Sequence, residues 1–173
     1  MHTGIGIVEA SLRFEVPAAR VFHLLAHPQH HTEFDGSGML RGSPDSCPIF
    51  AVGETFTMEM HRMGRDYFML NHIVEFEQDR RIAWEPAPGD LDTAGGDPRK
   101  VGVPAGYRWG FYLEPDGRAA TLVTEFFDCG PEGNLWILER EGGTWINGST
   151  PIHTSMTETL KLLAKACVNE HTG

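Results

Sequence analysis

The chain has 173 residues, 24 acidic against 14 basic, giving a formal net charge of -10 and a pI near 5.3. Charge of that sign repels phosphate backbones and anionic lipid headgroups, so nucleic acid is excluded as an expected partner. The length suits one core spanning residues 1–173, and Cys47, Cys129 and Cys167, odd in number and without a CxxC pair, exclude a disulfide framework and a zinc knuckle.

The first residues, MHTGIGIVEASLRF, carry no basic stretch followed by an apolar one, and no apolar run reaches the roughly 18 residues of a membrane span. A cytoplasmic protein without membrane association is expected. Ile7 to Val16 alternates apolar and polar side chains, the period of a strand, and Pro17 suits the first turn of a helix. Ala18 to Ala26 sets Val21, Phe22, Leu24 and Leu25 on one face. Pro28 ends that helix, and a second short one is predicted around His30 to Phe34. Asp35 to Pro48, rich in Gly, Ser and Pro, reads as a turn with a weak strand around Gly38 to Gly42.

In Glu54 to His61 the even positions Phe56, Met58 and Met60 are apolar and the odd ones polar, so the even side chains face inward. Tyr67 to Glu77 repeats the pattern with Phe68, Leu70, Val74 and Phe76; His72 is the polar member of that face and is expected to point inward with it. Arg81 to Glu85 forms a short strand carrying Ile82 and Trp84 on one side, stopped by Pro86 and Pro88. Gly89 to Gly106 dissolves into Gly, Asp and Pro and reads as a mobile loop. Its glycines lack the Lys-Ser/Thr ending of a phosphate-binding loop, and no nucleotide or other cofactor is expected.

Tyr107 to Leu113 and Ala119 to Asp128 form a hairpin around Pro115, Asp116 and Gly117, where loop length decides which side chains face the core. A two-residue Asp-Gly turn would bring Leu122, Thr124 and Phe126 inward beside Trp109 and Phe111. A three-residue loop would choose Thr121, Val123, Glu125 and Phe127. Pro115 fits the first central position of a type I turn and Gly117 the left-handed residue after it, which favours the three-residue form and an inward Glu125. Gly130 to Ser149, with Trp136 and Trp145, mixes the signals of a loop with a helical turn and of a lid. From Pro151 onward, Ile152, Met156, Thr159/Leu160, Leu163 and Cys167 recur at helical spacing and predict a long amphipathic helix.

This order of elements, with HPQHHTEFDGSG (27–38), NHIVEFEQDRRIAWEP (71–86), W-x-F-x-L-E-P (109–115) and M-x-x-T-L (156–160), resembles the helix-grip fold of the START-like or SRPBCC superfamily. The polyketide cyclase/dehydratase-like branch is the most similar part of it. The resemblance implies an α+β domain in which a curved antiparallel sheet of about six or seven strands wraps the C-terminal helix. Between sheet and helix it implies a cavity for a largely apolar molecule. Carried over by position, the wall comprises Met58, Met60, His72, Trp84, Trp109, Phe111 and Glu125 from the sheet, and Met156, Leu160 and Leu163 from the helix. Phe34 stands where a tryptophan is common, and the 89–106 loop is longer than in many relatives. Lipid carriers, hormone sensors, aromatic-ring cyclases and co-chaperone-like modules share the fold, so fold does not settle function.

Two residues are candidates for catalysis. His72 is either a base or a core histidine satisfied by a neighbour, histidine being the side chain that ordinarily titrates nearest neutrality. Glu125 on an apolar wall either holds its proton to higher pH, as a general acid must, or pairs with Arg108 or caps a loop at the rim. In an enzyme that folds a poly-ketone chain, Tyr107 or Arg108 would polarise a carbonyl. His27, His30 and His31 cluster in sequence but lack the partners of a fixed metal site, so no metal is expected. Asp35-Gly36-Ser37-Gly38 reads as an Asx-type turn. The methionines offer an adaptable lining, and Trp84 and Trp109 either fill the cavity or stack on a planar ring. The function expected is binding of a hydrophobic polyketide, aromatic or lipid-like molecule, as cyclase/dehydratase or alternatively as carrier, sensor or interaction module, with a homodimer left open.

Overall fold

The computed structural model describes residues 6–44, 47–130 and 152–169. Strand β1 (Ile7–Phe14) ends before Pro17, whose φ of -63° leads into helix α1 (Ala18–Leu25). Val21, Phe22, Leu24 and Leu25 are buried on its inner face, as the spacing predicts. The second short helix begins earlier than expected and is a 3-10 helix, Pro28–Glu33.

The sheet is built from β1, β2 (Leu40–Gly42), β3 (Thr55–Arg62), β4 (Arg65–Glu77), β5 (Arg81–Pro88), β6 (Arg108–Asp116) and β7 (Ala120–Asp128). Its order is β1-β7-β6-β5-β4-β3-β2, with every neighbouring pair antiparallel. The terminal helix α2 (Ile152–Asn169) lies in the concave face, chiefly along β1, and buries Ile152, Met156, Leu160, Leu163 and Cys167 there. Pro151 and the 131–150 segment, Trp136 and Trp145 included, lie outside the described residues.

The β6–β7 hairpin has a three-residue loop, placed at Gly117, Arg118 and Ala119 rather than at Pro115 to Gly117, since Asp116 pairs with Ala120. Moving a loop by two residues preserves parity, so Glu125 still faces inward beside Phe111. Gly117 is left-handed, at φ +73°, but as the first residue of the loop and not as the last, where the sequence reading placed it.

Strand β4 departs from its sequence reading. Asn71 and Ile73 are the buried residues, whereas Phe68 and Leu70 sit on the outer face. Val74 is skipped in the pairing with β5, where Ile73 faces Trp84 and Glu75 faces Ala83, and this bulge returns Phe76 to the core side. The outer face is apolar because the 89–106 segment folds back over it: Gly89 packs on Phe68, Gly102 approaches Leu70, and Gly102 O accepts from His72 Nε2 at 2.8 Å. A strand covered on both sides shows no clean alternation.

Strand β5 runs through Pro86 and Pro88 instead of stopping before them. Its pairing with β6 ends at Trp84 and Trp109, so beyond that point the lost N–H groups face no strand. The freed carbonyls of Pro86 and Pro88 accept from Ala105 N (3.1 Å) and Gly102 N (2.8 Å). The segment expected as a mobile loop is thus a run of turns tied back to the sheet edge, and Arg65 pairs with its Asp92 at 2.5 Å.

Candidate functional site

A cavity of about 660 Å³ lies between the concave sheet and α2, within the range of pockets that hold drug-sized ligands. Alternation on β3 delivers Met58 and Met60 to it, and the odd positions of β4 add Tyr67, Met69 and Asn71. Trp84 on β5, and Trp109 and Phe111 on β6, form the aromatic wall. The cavity remains open with both indoles in place, so they line it and do not fill it. Every methionine among the described residues touches this space, from Met39 near the 3-10 helix to Met63 at the rim. Unbranched thioether side chains of this kind adapt to varied shapes.

Glu125 is 8 % exposed and lies on that apolar wall. Burial, then the charge of nearby Asp35, pushes its carboxyl well above the usual carboxylate range. The protonated, hydrogen-bond-donating form therefore persists to higher pH. Its Oε2 is buried without a hydrogen-bond partner among the described residues. Arg108 does not pair with it. That guanidinium sits on the outer face, bonded to Glu75 at 2.7 Å and Asp128 at 3.3 Å, so it is no polariser of a ligand carbonyl either. Tyr107 does reach the cavity, where burial raises its phenol to about 12, with Tyr67 adding to the effect.

His72 is not in the cavity; with Asn71 and Ile73 turned inward, its ring lies on the outer face against Gly102. Leu160 and Leu163 are also absent from the lining, because the C-terminal half of α2 is packed solidly into the core. Met156, one turn earlier, does line the space, with Ser155 and Thr159.

The cavity is also lined by a histidine to which sequence spacing assigned no role. Among His27, His30 and His31 the side chains diverge. His27 Nδ1 contacts His23 O and His30 Nδ1 contacts Glu33, both toward solvent. His31 turns inward, 3 % exposed, with Nε2 2.8 Å from Leu25 O. A carbonyl only accepts, so Nε2 carries the proton and Nδ1 is left as an acceptor. Its ring stacks on Trp84 (centroids 5.7 Å apart) and meets Phe56 edge-on at 5.5 Å. Burial holds its imidazole down at about 4, the neutral state near pH 7. No group of three or more His, Cys, Asp or Glu side chains among the described residues is placed to hold a metal ion.

Asp35 forms the expected Asx turn, accepting from Ser37 N (3.0 Å) and Ser37 Oγ (2.6 Å), and also takes Leu40 N at 2.8 Å. Gly36 makes this placement possible. A Cβ there would lie 2.4 Å from both Ser155 O and Thr159 N, so only glycine lets the turn press on α2, where its N–H bonds Thr159 Oγ1 at 2.9 Å.

No family model matches the chain. Solved structures match it along nearly its whole length. A ginseng major latex-like protein from Panax ginseng is 12 % identical with a TM-score of 0.59, over 94 % of this chain and 97 % of its own. A polyketide_cyc-like protein, Cgl2372 from Corynebacterium glutamicum, is 16 % identical with a TM-score of 0.51, over 96 % of both chains. The chain has the helix-grip fold. Among curated proteins it is similar to the uncharacterized protein Rv0088 of Mycobacterium tuberculosis, at 29 % identity over 135 residues, 78 % of this chain. This helix-grip chain spans about half, 53 %, of that relative's length.

The helix-grip wall thus receives Met58, Met60, Trp84, Tyr107, Trp109, Phe111, Glu125 and Met156 as expected by sequence, and not His72, Leu160 or Leu163. Missed were His31, Asp35, Tyr67 and Asn71. The odd-numbered β4 residues would have emerged from treating Asn71 as the polar inward position. Nothing in the sequence spacing distinguishes His31 from its two neighbours.

Proposed function

We propose that this chain binds a hydrophobic small molecule, polyketide, aromatic or lipid-like, in the cavity between sheet and terminal helix, and that Glu125 supplies a proton to it. The observation that carries this reading is a carboxyl with no ion-pair partner among the described residues, on a wall rich in aromatic and thioether side chains. In an enzyme of the cyclase/dehydratase type Glu125 acts as general acid and Tyr107 polarises a carbonyl. A reducing cytoplasm suits its three free cysteines, and among the described residues no helix is long and apolar enough to cross a membrane.

A carrier or sensor is the second reading. It is favoured by the placement of His72 outside the cavity, which removes the base that an acid/base pair would have used, and by the methionine-rich lining. Native and denaturing mass spectrometry of the freshly purified protein tests the binding claim. A discrete apolar adduct lost on denaturation is expected. Glu125→Gln then separates the readings: turnover of the identified molecule falls by about 100-fold or more if Glu125 is an acid catalyst, whereas a carrier converts nothing before or after the change.

A further inference from the structure

Two buried polar groups at one end of the cavity are left incompletely used by the protein itself. Glu125, on β7, has no hydrogen-bond partner for its carboxyl among the described residues, and Oε2 is orphaned. His31, on the 3-10 helix, uses Nε2 on Leu25 O and retains Nδ1 as an acceptor, while Trp84, Phe56 and Phe34 hold its ring. Both line the cavity, and two rings link them: His31 stacks on Trp84, whose ring lies 6.2 Å from that of Phe111, the residue paired with Glu125. A donor and an acceptor therefore face one apolar space from different elements.

We propose that this pole is a two-point polar site for an uncharged hydroxy-carbonyl compound, with Glu125 donating to its carbonyl oxygen and Nδ1 of His31 accepting from its hydroxyl. The assignment rests on the hydrophobic-ligand reading and adds the polar pattern of the ligand. Buried polar atoms strongly discriminate against ligands that leave them unpaired. A ligand carboxylate meets the charge of Asp35 here and offers no donor to His31. A ligand ammonium has to shed its hydration among aromatic rings, with both Asp35 oxygens already engaged by Ser37 and Leu40.

The test uses flat probes of one size. On the wild-type protein at pH 7, 2-acetylnaphthalene should bind about five- to tenfold more tightly than 2-ethylnaphthalene, and 2-naphthol should exceed 2-methylnaphthalene by a similar factor, the worth of one hydrogen bond. Glu125→Leu keeps an apolar filler and should erase the first preference alone. His31→Gln keeps an amide donor within reach of Leu25 O while deleting Nδ1, and should erase the second alone; unchanged near-ultraviolet circular dichroism shows that both variants remain folded. A preference that survives its variant overturns the assignment, as does tighter binding of 2-naphthoate or 2-naphthylmethylamine than of 2-acetylnaphthalene. Equal binding of all the neutral probes overturns the polar pattern but leaves the cavity reading standing. Binding of none overturns both.

Discussion

Glu125 stands directly opposite Phe111 across the β6–β7 ladder. That single pairing takes a carboxyl out of water and gives it an aromatic neighbour in place of a cation. Its folded-state proton affinity is raised above the usual 4.5, so above that pH the folded chain binds more protons than the unfolded one, and stability falls as pH rises toward the folded value. Glu125→Leu is expected to remove this decline and to be the more stable protein at pH 8, by about 1–3 kcal/mol. Urea unfolding at intervals from pH 5 to 8 measures both.

His31 acts on the opposite limb. Its imidazole is held at about 4 instead of 6.5, so below 6.5 the unfolded chain takes up a proton that the folded one refuses. Stability is therefore lost between about pH 6.5 and pH 4, by about 3 kcal/mol if the shift is fully expressed. His31→Gln should flatten the difference over that window, read from paired urea midpoints of the two proteins.

Gly36→Ala places a methyl 2.4 Å from two backbone atoms of α2, neither of which can rotate away. The turn must lift, at an expected loss of about 1–3 kcal/mol or more. Because Asp35 rides on that turn, probe affinity should fall as well as the melting temperature.

Leu163 and Met60 should separate packing from lining. Leu163→Ala empties a fully buried site and should lower stability by about 3 kcal/mol. Met60→Ala adjoins space that is already open, and should be clearly milder for stability while altering ligand preference. Chemical denaturation alongside naphthalene binding distinguishes the two.

His72→Ala should leave probe binding unchanged, since the ring lies on the far side of β4, bonded to Gly102 O. A loss of stability without a change in probe affinity is the expected pairing of results.

Much of the frame was legible because local rules sufficed. The alternation of Phe56, Met58 and Met60 fixed the face of β3, and the odd length of the loop at Gly117 fixed that of Glu125 even though the loop sits two residues later than expected. On β4 the same rule failed because Phe68 and Leu70 are covered by the 89–106 segment, so both faces carry apolar residues and the pattern does not choose between them. Pro86 and Pro88 looked like terminators, since nothing local reveals that β6 has already diverged. The polar end of the site was hidden for a related reason. His31 meets Trp84, and Asp35 and Glu125 come to line one cavity, across long stretches of chain, and such meetings are set by how the 3-10 helix docks rather than by spacing. Leu160 and Leu163 share the apolar stripe of Met156, but a stripe does not say where along its length the cavity gives way to solid core.

The concentration of methionine around one space gives the protein a built-in set of spectroscopic probes. Carbon-13 labelling of the methionine methyls would place the signals of Met39, Met58, Met60, Met63, Met69 and Met156 at the cavity. An aromatic guest would shift those resonances by its ring current in proportion to proximity. The pattern of displaced peaks would then give the pose of a bound molecule before its chemical identity is known.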